Sequence, residues 1–177
     1  MSAELRIVLA DDHPVVRAGL RAVVESQPDL NVVADFDTAE SLLTWISAGG
    51  HADVALMDLR FGADQMSGAE ATAALVAQGG PPVLIVTTYG SDADILAAIE
   101  AGATGYLLKD APTLQLAEGI RAAAAGSVIL GPAVQERLLE RMRVPEAALT
   151  RRELDVLARV AAGDSNEDVA AELFITR

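Results

Sequence analysis

Cysteine is absent from the 177 residues, and aromatic residues make up only 3% of them. Without cysteine the sequence can form no disulfide framework, no thiol nucleophile and no cysteine-based zinc site. With so few aromatic rings it also lacks the side chains on which proteins stack the bases of single-stranded nucleic acids. These absences exclude disulfide-stapled scaffolds, thiol enzymes and base-stacking platforms.

The sequence also lacks a long apolar run and an excess of basic residues. No stretch approaches the roughly 18 apolar residues that a membrane helix needs, and the charged start does not resemble a signal peptide. Lys and Arg number 13 against 26 Asp and Glu, a net charge of −13, which argues against a surface that wraps nucleic acid or lies on an anionic membrane. With 51% hydrophobic residues, the composition predicts a soluble, folded, cytoplasmic protein without membrane contact.

Short β-branched runs alternate with amphipathic stretches through the first two-thirds of the chain. The runs at Arg6–Ala10 and Val83–Val86 are almost continuously apolar, as expected for strands buried on both faces. A helix is predicted to begin at Pro14, which suits a first helical turn. Its predicted apolar face consists of Val15, Val16, Leu20, Val23 and Val24. Five strand–helix repeats of this kind predict an α/β fold with a doubly wound, five-stranded parallel sheet.

Polar residues follow four of the predicted strands: Asp11 and Asp12, Asp58, Thr87 and Lys109. The carboxyl ends of parallel strands line one crevice, so we expect these side chains to lie together. Three carboxylates there repel one another unless a cation neutralises them, and Mg²⁺ binds such oxygens while leaving room for phosphate. The pattern favours formation of an aspartyl phosphate. Taken singly, each of these residues is also compatible with an ordinary structural role, as a helix cap, a strand end or a surface lysine.

Four segments, LADDHPVVRAGLRAVVE, VALMDLRF, VLIVTTYG and GATGYLLKDAP, resemble the receiver domain of two-component response regulators of the NarL/FixJ type. The resemblance covers residues 5–126 and implies a flavodoxin-like sheet with the strand order 2-1-3-4-5. It implies that a sensor histidine kinase phosphorylates Asp58 with Mg²⁺ as the cofactor. The implied metal ligands are Asp11 (through water), Asp12, Asp58 and the backbone carbonyl of Arg60. The implied switch residues are Thr87, Tyr106 and Lys109.

The loop after Asp58 departs from the family pattern. Members of the family usually have Met-Pro there and reach a glycine about eight positions after the aspartate. Here the segment Leu59–Ser67 precedes Gly68, so the loop is two residues longer and has no proline. The acidic residues are unaffected, and the longer loop bears instead on loop rigidity, access of small phosphodonors and the lifetime of the phosphoryl group.

The remaining residues predict a linker and a second domain. We expect a receiver at 1–126, a linker with a short helix around Ala133–Met142 at 127–146, and a small all-α domain at 147–177. Its segment LTRRELDVLARVAAGDSNEDVAAELFIT resembles the first part of the LuxR-type helix-turn-helix, and Thr150 and Glu153 form a capping box. In that family the recognition helix would begin just past Arg177, so no DNA-contacting residue is assigned in this chain.

These expectations together predict a DNA-binding transcriptional response regulator rather than an enzyme. Phosphorylation would control homodimerisation and binding to promoter DNA, through either the face of the fourth and fifth helices or that of the first and fifth. One alternative is a receiver that acts by protein contact without phosphate. Another is a phosphatase with an aspartate nucleophile, which would need a second acid two residues after Asp58, where the chain has Arg60.

Overall fold

The computed structural model describes residues 4–62, 64–88 and 91–143. Residues Met1–Leu139 form one compact unit, and of the second unit, Glu140–Arg177, the description extends to residue 143. The predicted helix-turn-helix at 147–177, with its Thr150–Glu153 capping box, lies outside the described residues. Among the helices that are described, none is long and apolar enough to cross a bilayer.

Six parallel strands form one sheet in the order β2-β1-β3-β4-β5-β6. The strands are β1 (Leu5–Ala10), β2 (Leu30–Phe36), β3 (Val54–Met57), β4 (Val83–Thr87), β5 (Gly105–Leu108) and β6 (Ile129–Leu130). The order predicted for the first five strands is confirmed. Every residue of β3 and β4 is buried, because helices cover both faces of the sheet at its centre.

Within the described part of the chain, six helices connect and flank these strands. They are α1 (Pro14–Glu25), α2 (Ala39–Ser47), α3 (Gly68–Ala77), α4 (Asp92–Glu100), α5 (Thr113–Ala124) and α6 (Pro132–Arg143). Side-chain caps fix several starts: Thr38 accepts a hydrogen bond from the backbone of α2, and Ser67 and Ser91 form capping boxes at α3 and α4. Such caps satisfy backbone N–H groups that the first helical turn leaves without partners.

The apolar core lies in two layers, one on each face of the sheet. On one face α1 and α5 cover it with buried residues such as Val24 and Ile120. On the other face α2, α3 and α4 cover it with residues such as Leu42, Leu75 and Ile95. This layering leaves the carboxyl ends of β1, β3, β4 and β5 along one edge, which positions the site described below.

The prediction that Val15 belongs to the buried apolar face of α1 is wrong. Val15 is 85% exposed, whereas Val24 is buried and Val16, Leu20 and Val23 are partly buried. Successive helical residues are rotated by about 100°, so Val15 projects well away from the stripe that Val16 begins. The buried stripe of α1 therefore starts one residue later than the sequence analysis predicted.

The sixth strand lies in the segment that the sequence predicts as a linker. Ile129 and Leu130 pair with Gly105 and Tyr106 of β5, and the compact unit continues to Leu139. The backbone N–H groups of Ile129 and Gly131 donate to carbonyls of Thr104 and Tyr106, each at 3.0 Å. A strand of two residues is too short to show an alternating pattern, which is why the sequence predicts five strands whereas the described residues form six.

An ion pair joins α5 to the turn before β2. Arg121 donates to both oxygens of Asp29, with each donor–acceptor distance 2.7 Å. The hydrogen bond from Arg121 is the main cause that lowers the pKa of Asp29 below its ordinary value. Because this pKa is lowered, the pair stabilises the fold above the unfolded-state pKa and ceases to do so as the pH falls through the folded-state pKa.

We therefore expect Asp29→Asn to be less stable than the wild type at pH 7, with a gap that closes below about pH 4. Urea unfolding of both proteins at a series of pH values from 7 to 2 measures that gap. A difference that stays constant down to pH 2 would contradict the assignment of the pair.

Candidate functional site

Two buried carboxylates meet because their strands pair in register. Ala10 lies opposite Met57 in the β1–β3 ladder, so the next residues, Asp11 and Asp58, emerge side by side at the edge of the sheet. The N–H of Asp58 also donates to the carbonyl of Ala10 at 2.8 Å. Asp11 is 1% exposed and Asp58 is 5% exposed, so both predicted carboxylates lie where the sequence analysis placed them.

Lys109, which directly follows β5, sits between the two buried carboxylates. Its Nζ lies 2.5 Å from Oδ2 of Asp58 and 2.6 Å from Oδ2 of Asp11, and its side chain is only 9% exposed. Burial alone would lower the pKa of Lys109, but the hydrogen bonds and charges of Asp11 and Asp58 outweigh it and raise that pKa. The ammonium group therefore stays charged and links β5 to β1 and β3.

The remaining oxygens of the carboxylates are oriented by their own turns. Oδ1 of Asp58 accepts a hydrogen bond from the N–H of Leu59 at 2.7 Å. Oδ1 of Asp11 accepts one from the N–H of His13 at 2.8 Å, and the His13 imidazole lies 2.6 Å from Oδ1 of Asp12. Asp11 and Asp58 are therefore each held by a backbone hydrogen bond, whereas Oδ1 of Asp12 is buried without a hydrogen-bond partner among the described residues.

The predicted oxygen ligands fit a hard divalent cation. Single ligand atoms from Asp11, Asp12, His13 and Asp58 all lie within 4.8 Å of one another. Three formal negative charges oppose the single ammonium of Lys109, which leaves an excess of negative charge at the edge of the sheet. Carboxylate oxygens are the ligands that Mg²⁺ prefers. His13 was not predicted as a ligand, and its 67% exposed side chain contacts the cluster from outside.

The other predicted residues occupy different positions around the cluster. Thr87 ends β4 and is 3% exposed, whereas Thr88 is exposed, and the carbonyl of Thr87 accepts a hydrogen bond from the N–H of Lys109. Tyr106 is fully buried on β5. Arg60 points its guanidinium to Asp94 at the start of α4, with Nη2 2.6 Å from Oδ2. The roles of these residues as switch groups and carbonyl ligand stay predictions.

The lengthened loop Leu59–Ser67 closes tightly against Asp58. The N–H of Gly68 donates to the carbonyl of Leu59 at 2.9 Å, which returns the chain to the end of β3. A Cβ atom at Gly68 would lie 2.0 Å from the carbonyl oxygen of Asp58, so only glycine fits at this position. From the sequence, Gly68 is recognisable only as the glycine that follows the lengthened loop. The Ser67–Glu70 capping box, which is visible in the sequence, fixes where α3 begins.

The loop is also tied to two helices. Glu40 of α2 accepts a hydrogen bond from the N–H of Met66 at 2.8 Å, and Arg60 pairs with Asp94 of α4. Leu59 is buried, and Phe61 packs partly buried against the core. The lengthened loop is therefore anchored to α4 near its start and to α2 near its end, while Asp11 and Asp58 still meet at the edge of the sheet.

Comparison with known proteins identifies the family. The response regulator receiver domain matches residues 7–121, and the luxR family of bacterial regulatory proteins matches residues 147–177. This chain belongs to the NarL/FixJ family of two-component response regulators. It therefore combines a receiver domain with a LuxR-type DNA-binding domain and belongs to a class of transcription regulators.

Three similar proteins illustrate this membership. The chain is 37% identical to the transcriptional regulatory protein LiaR of Bacillus subtilis strain 168 over 180 residues, which cover 97% of this chain and 83% of LiaR. It is also 37% identical to the nitrate/nitrite response regulator protein NarP of Escherichia coli K12, with 97% and 81% covered. The crystal structure of the response regulator ChrA, from a heme-sensing two-component system, shares 44% identity and a TM-score of 0.69, covering 99% of this chain and 84% of ChrA.

The contact between Gly68 and the Asp58 backbone gives a prediction for stability. We expect Gly68→Ala to lower the free energy of unfolding by about 2 kcal/mol, because the new methyl group meets backbone atoms rather than a side chain that can move. Gly62→Ala is the matched control in the same loop, since its Cβ would meet only the Gln65 side chain at 3.5 Å. Urea unfolding compares the two variants, and equal losses would contradict a specific role for Gly68.

The position of Lys109 gives a prediction for pH dependence. In metal-free buffer at pH 7, we expect Lys109→Met to lower the free energy of unfolding by about 3 kcal/mol, because two buried carboxylates lose their cation. Since the pKa of Lys109 is raised above 10.5, the wild-type advantage stays full up to about pH 10 and declines as the pH rises through the folded-state pKa. Denaturant unfolding from pH 7 to 11 measures this advantage, and a decline that begins below pH 9 would contradict the paired ammonium.

Proposed function

We propose that this response regulator is phosphorylated on Asp58 and that the phosphoryl group controls dimerisation and binding to promoter DNA. The observation that supports this most is the environment of the Asp58 carboxylate. Its carboxylate is buried between the N–H of Leu59 and the ammonium of Lys109, beside two further carboxylates on the β1–α1 turn. A nucleophilic carboxylate next to a fixed cation suits phosphoryl transfer, in which positioning and charge compensation dominate.

The proposed donor is a phosphohistidine of a sensor histidine kinase. An oxygen of Asp58 forms a bond to phosphorus while the bond between phosphorus and the histidine nitrogen breaks, and the imidazole leaves with that electron pair. Lys109, which already contacts Oδ2 of Asp58, is placed to compensate the negative charge on the phosphoryl oxygens. The hydroxyl of Thr87 is proposed to follow the same oxygens.

Mg²⁺ is the proposed cofactor, held by Asp12 and Asp58 directly, by Asp11 through water and by the backbone carbonyl of Arg60. When bound, it supplies positive charge that offsets the repulsion between the carboxylates and an incoming phosphate. The protein's own residues contribute by orienting these carboxylate oxygens toward one another. Asp11 is fixed by the N–H of His13 and by Lys109, and Asp58 by Leu59 and Lys109.

The proposed switch lies on β4 and β5. Lys109 adjoins Thr87 through a backbone hydrogen bond of 2.8 Å, and Tyr106 lies on β5, three residues before Lys109. A phosphoryl group that draws Lys109 and Thr87 toward itself would bias the conformation of this part of the sheet, to the extent that its contacts differ between the two states. Homodimerisation of the receiver would then bring paired LuxR-type domains to promoter DNA.

Intact-mass measurement after incubation with phosphoramidate and Mg²⁺ tests the acceptor. We expect one added phosphoryl group on the wild type and none on Asp58→Asn. Asp64→Asn, which changes an exposed carboxylate in the neighbouring loop, serves as the matched control and should be labelled like the wild type. Equal labelling of Asp58→Asn and the wild type would refute Asp58 as the acceptor. A wild type without any adduct would mean either that the lengthened loop bars small donors or that the receiver acts by protein contact alone, and incubation with a phosphorylated sensor kinase would then decide between them.

A further inference from the structure

A side chain of α1 reaches back to the turn that carries two of the site carboxylates. Nη1 of Arg17 donates a hydrogen bond to the backbone carbonyl of Asp11, with a distance of 2.5 Å. The side chain of Arg17 is only 19% exposed. This hydrogen bond is to the main chain rather than to a carboxylate. Arg17 therefore contacts the backbone of the site and leaves the predicted ligand oxygens available.

Arg17 is itself held from the neighbouring strand. Its Nε lies 3.2 Å from Oδ1 of Asp35 on β2, and the other oxygen of Asp35 is bonded to Arg21, one turn further along α1. Hydrogen bonds from these arginines, with that of Arg21 the strongest, lower the pKa of Asp35 despite its partial burial. The guanidinium of Arg17 thus bridges β2 and the β1–α1 turn.

The carbonyl of Asp11 belongs to the peptide unit that joins Asp11 to Asp12. Because a peptide unit is planar, a rotation of that unit about its flanking bonds changes the direction of one aspartate relative to the other. The preceding peptide unit is fixed separately, since the N–H of Asp11 donates to the carbonyl of Phe36 at 3.1 Å. The hydrogen bond from Arg17 restrains the next peptide unit, which lies between Asp11 and Asp12.

We propose that Arg17 is a positioning residue for the cation site, which holds the Asp11–Asp12 peptide so that both carboxylates face Asp58. This inference rests on the proposed function, because it requires that the acidic cluster bind Mg²⁺. Arg17 contacts none of the reacting atoms in this role. It acts through the backbone of Asp11, as the outer partners of metal ligands do when they orient those ligands.

The direction of the effect separates positioning from simple electrostatics. A guanidinium close to the cluster repels Mg²⁺, so removal of its charge alone would strengthen Mg²⁺ binding. Loss of a positioning contact weakens binding instead. Arg21 provides the matched control, because it lies on the same helix and shares Asp35, but its guanidinium bonds to Glu25 and to the carbonyl of Val32 instead of to the acidic turn.

Isothermal titration of the full chain with MgCl₂ tests the proposal. We expect Arg17→Gln to bind Mg²⁺ about tenfold more weakly than the wild type, in line with the loss of a metal ligand's outer partner. Arg17→Lys should also bind more weakly, because an ammonium keeps the charge but cannot reproduce the planar fork that bridges Asp35 and Asp11. Arg21→Gln should bind like the wild type or slightly more tightly.

Thermal unfolding of the metal-free variants accompanies the titration. Arg17→Gln and Arg21→Gln each lose a contact with Asp35, so a similar loss of stability with unequal Mg²⁺ affinity supports the positioning role. If Arg17→Gln fails to fold, the stability and Mg²⁺ affinity of Arg17→Lys are compared with those of Arg21→Gln instead. The inference is overturned if the wild type binds Mg²⁺ and the Arg17 variants bind it equally well or better, or if Arg21→Gln weakens binding as much. A wild type that does not bind Mg²⁺ would overturn the proposed metal site itself.

Discussion

The ion pairs of Lys109 are the contact on which the functional edge of this receiver depends. Parallel strands bring Asp11 and Asp58 together at an edge where their like charges repel, and burial strengthens that repulsion. A single ammonium within 2.6 Å of both carboxylates compensates them and at the same time ties β5 to β1 and β3. One side chain therefore both compensates the buried carboxylates and adds to the cohesion of the sheet edge.

Much of this site could be predicted because it follows from strand ends. Asp11, Asp58 and Lys109 each come directly after a recognisable apolar run, and parallel pairing places such residues on one edge whatever the helices between them do. The strand order followed from resemblance to a known family. These inferences need only local sequence and a general rule of topology.

Other features could not be predicted because their partners are distant in sequence or carry no pattern. Glu40 anchors Met66 across 26 positions, and Gly68 is required by the carbonyl of Asp58 rather than by its own helix. The link from Arg17 to the Asp11 carbonyl involves a backbone acceptor, which no residue type reveals. The strand β6 has only two residues and owes its formation to hydrogen bonds with β5.

Strand β5 connects the acidic site to the segment that leaves the receiver. At its end it carries Lys109, and along its other edge it is bonded to β6, with Tyr106 opposite Leu130. Gly131, which donates to the carbonyl of Tyr106, directly precedes α6, and Val134 of α6 is buried in the core layer that contains Tyr106. A displacement of Lys109 that moves β5 must therefore also strain or move β6 and the first turn of α6. The start of the predicted linker is thus a packed part of the compact unit, bonded directly to the strand that precedes Lys109.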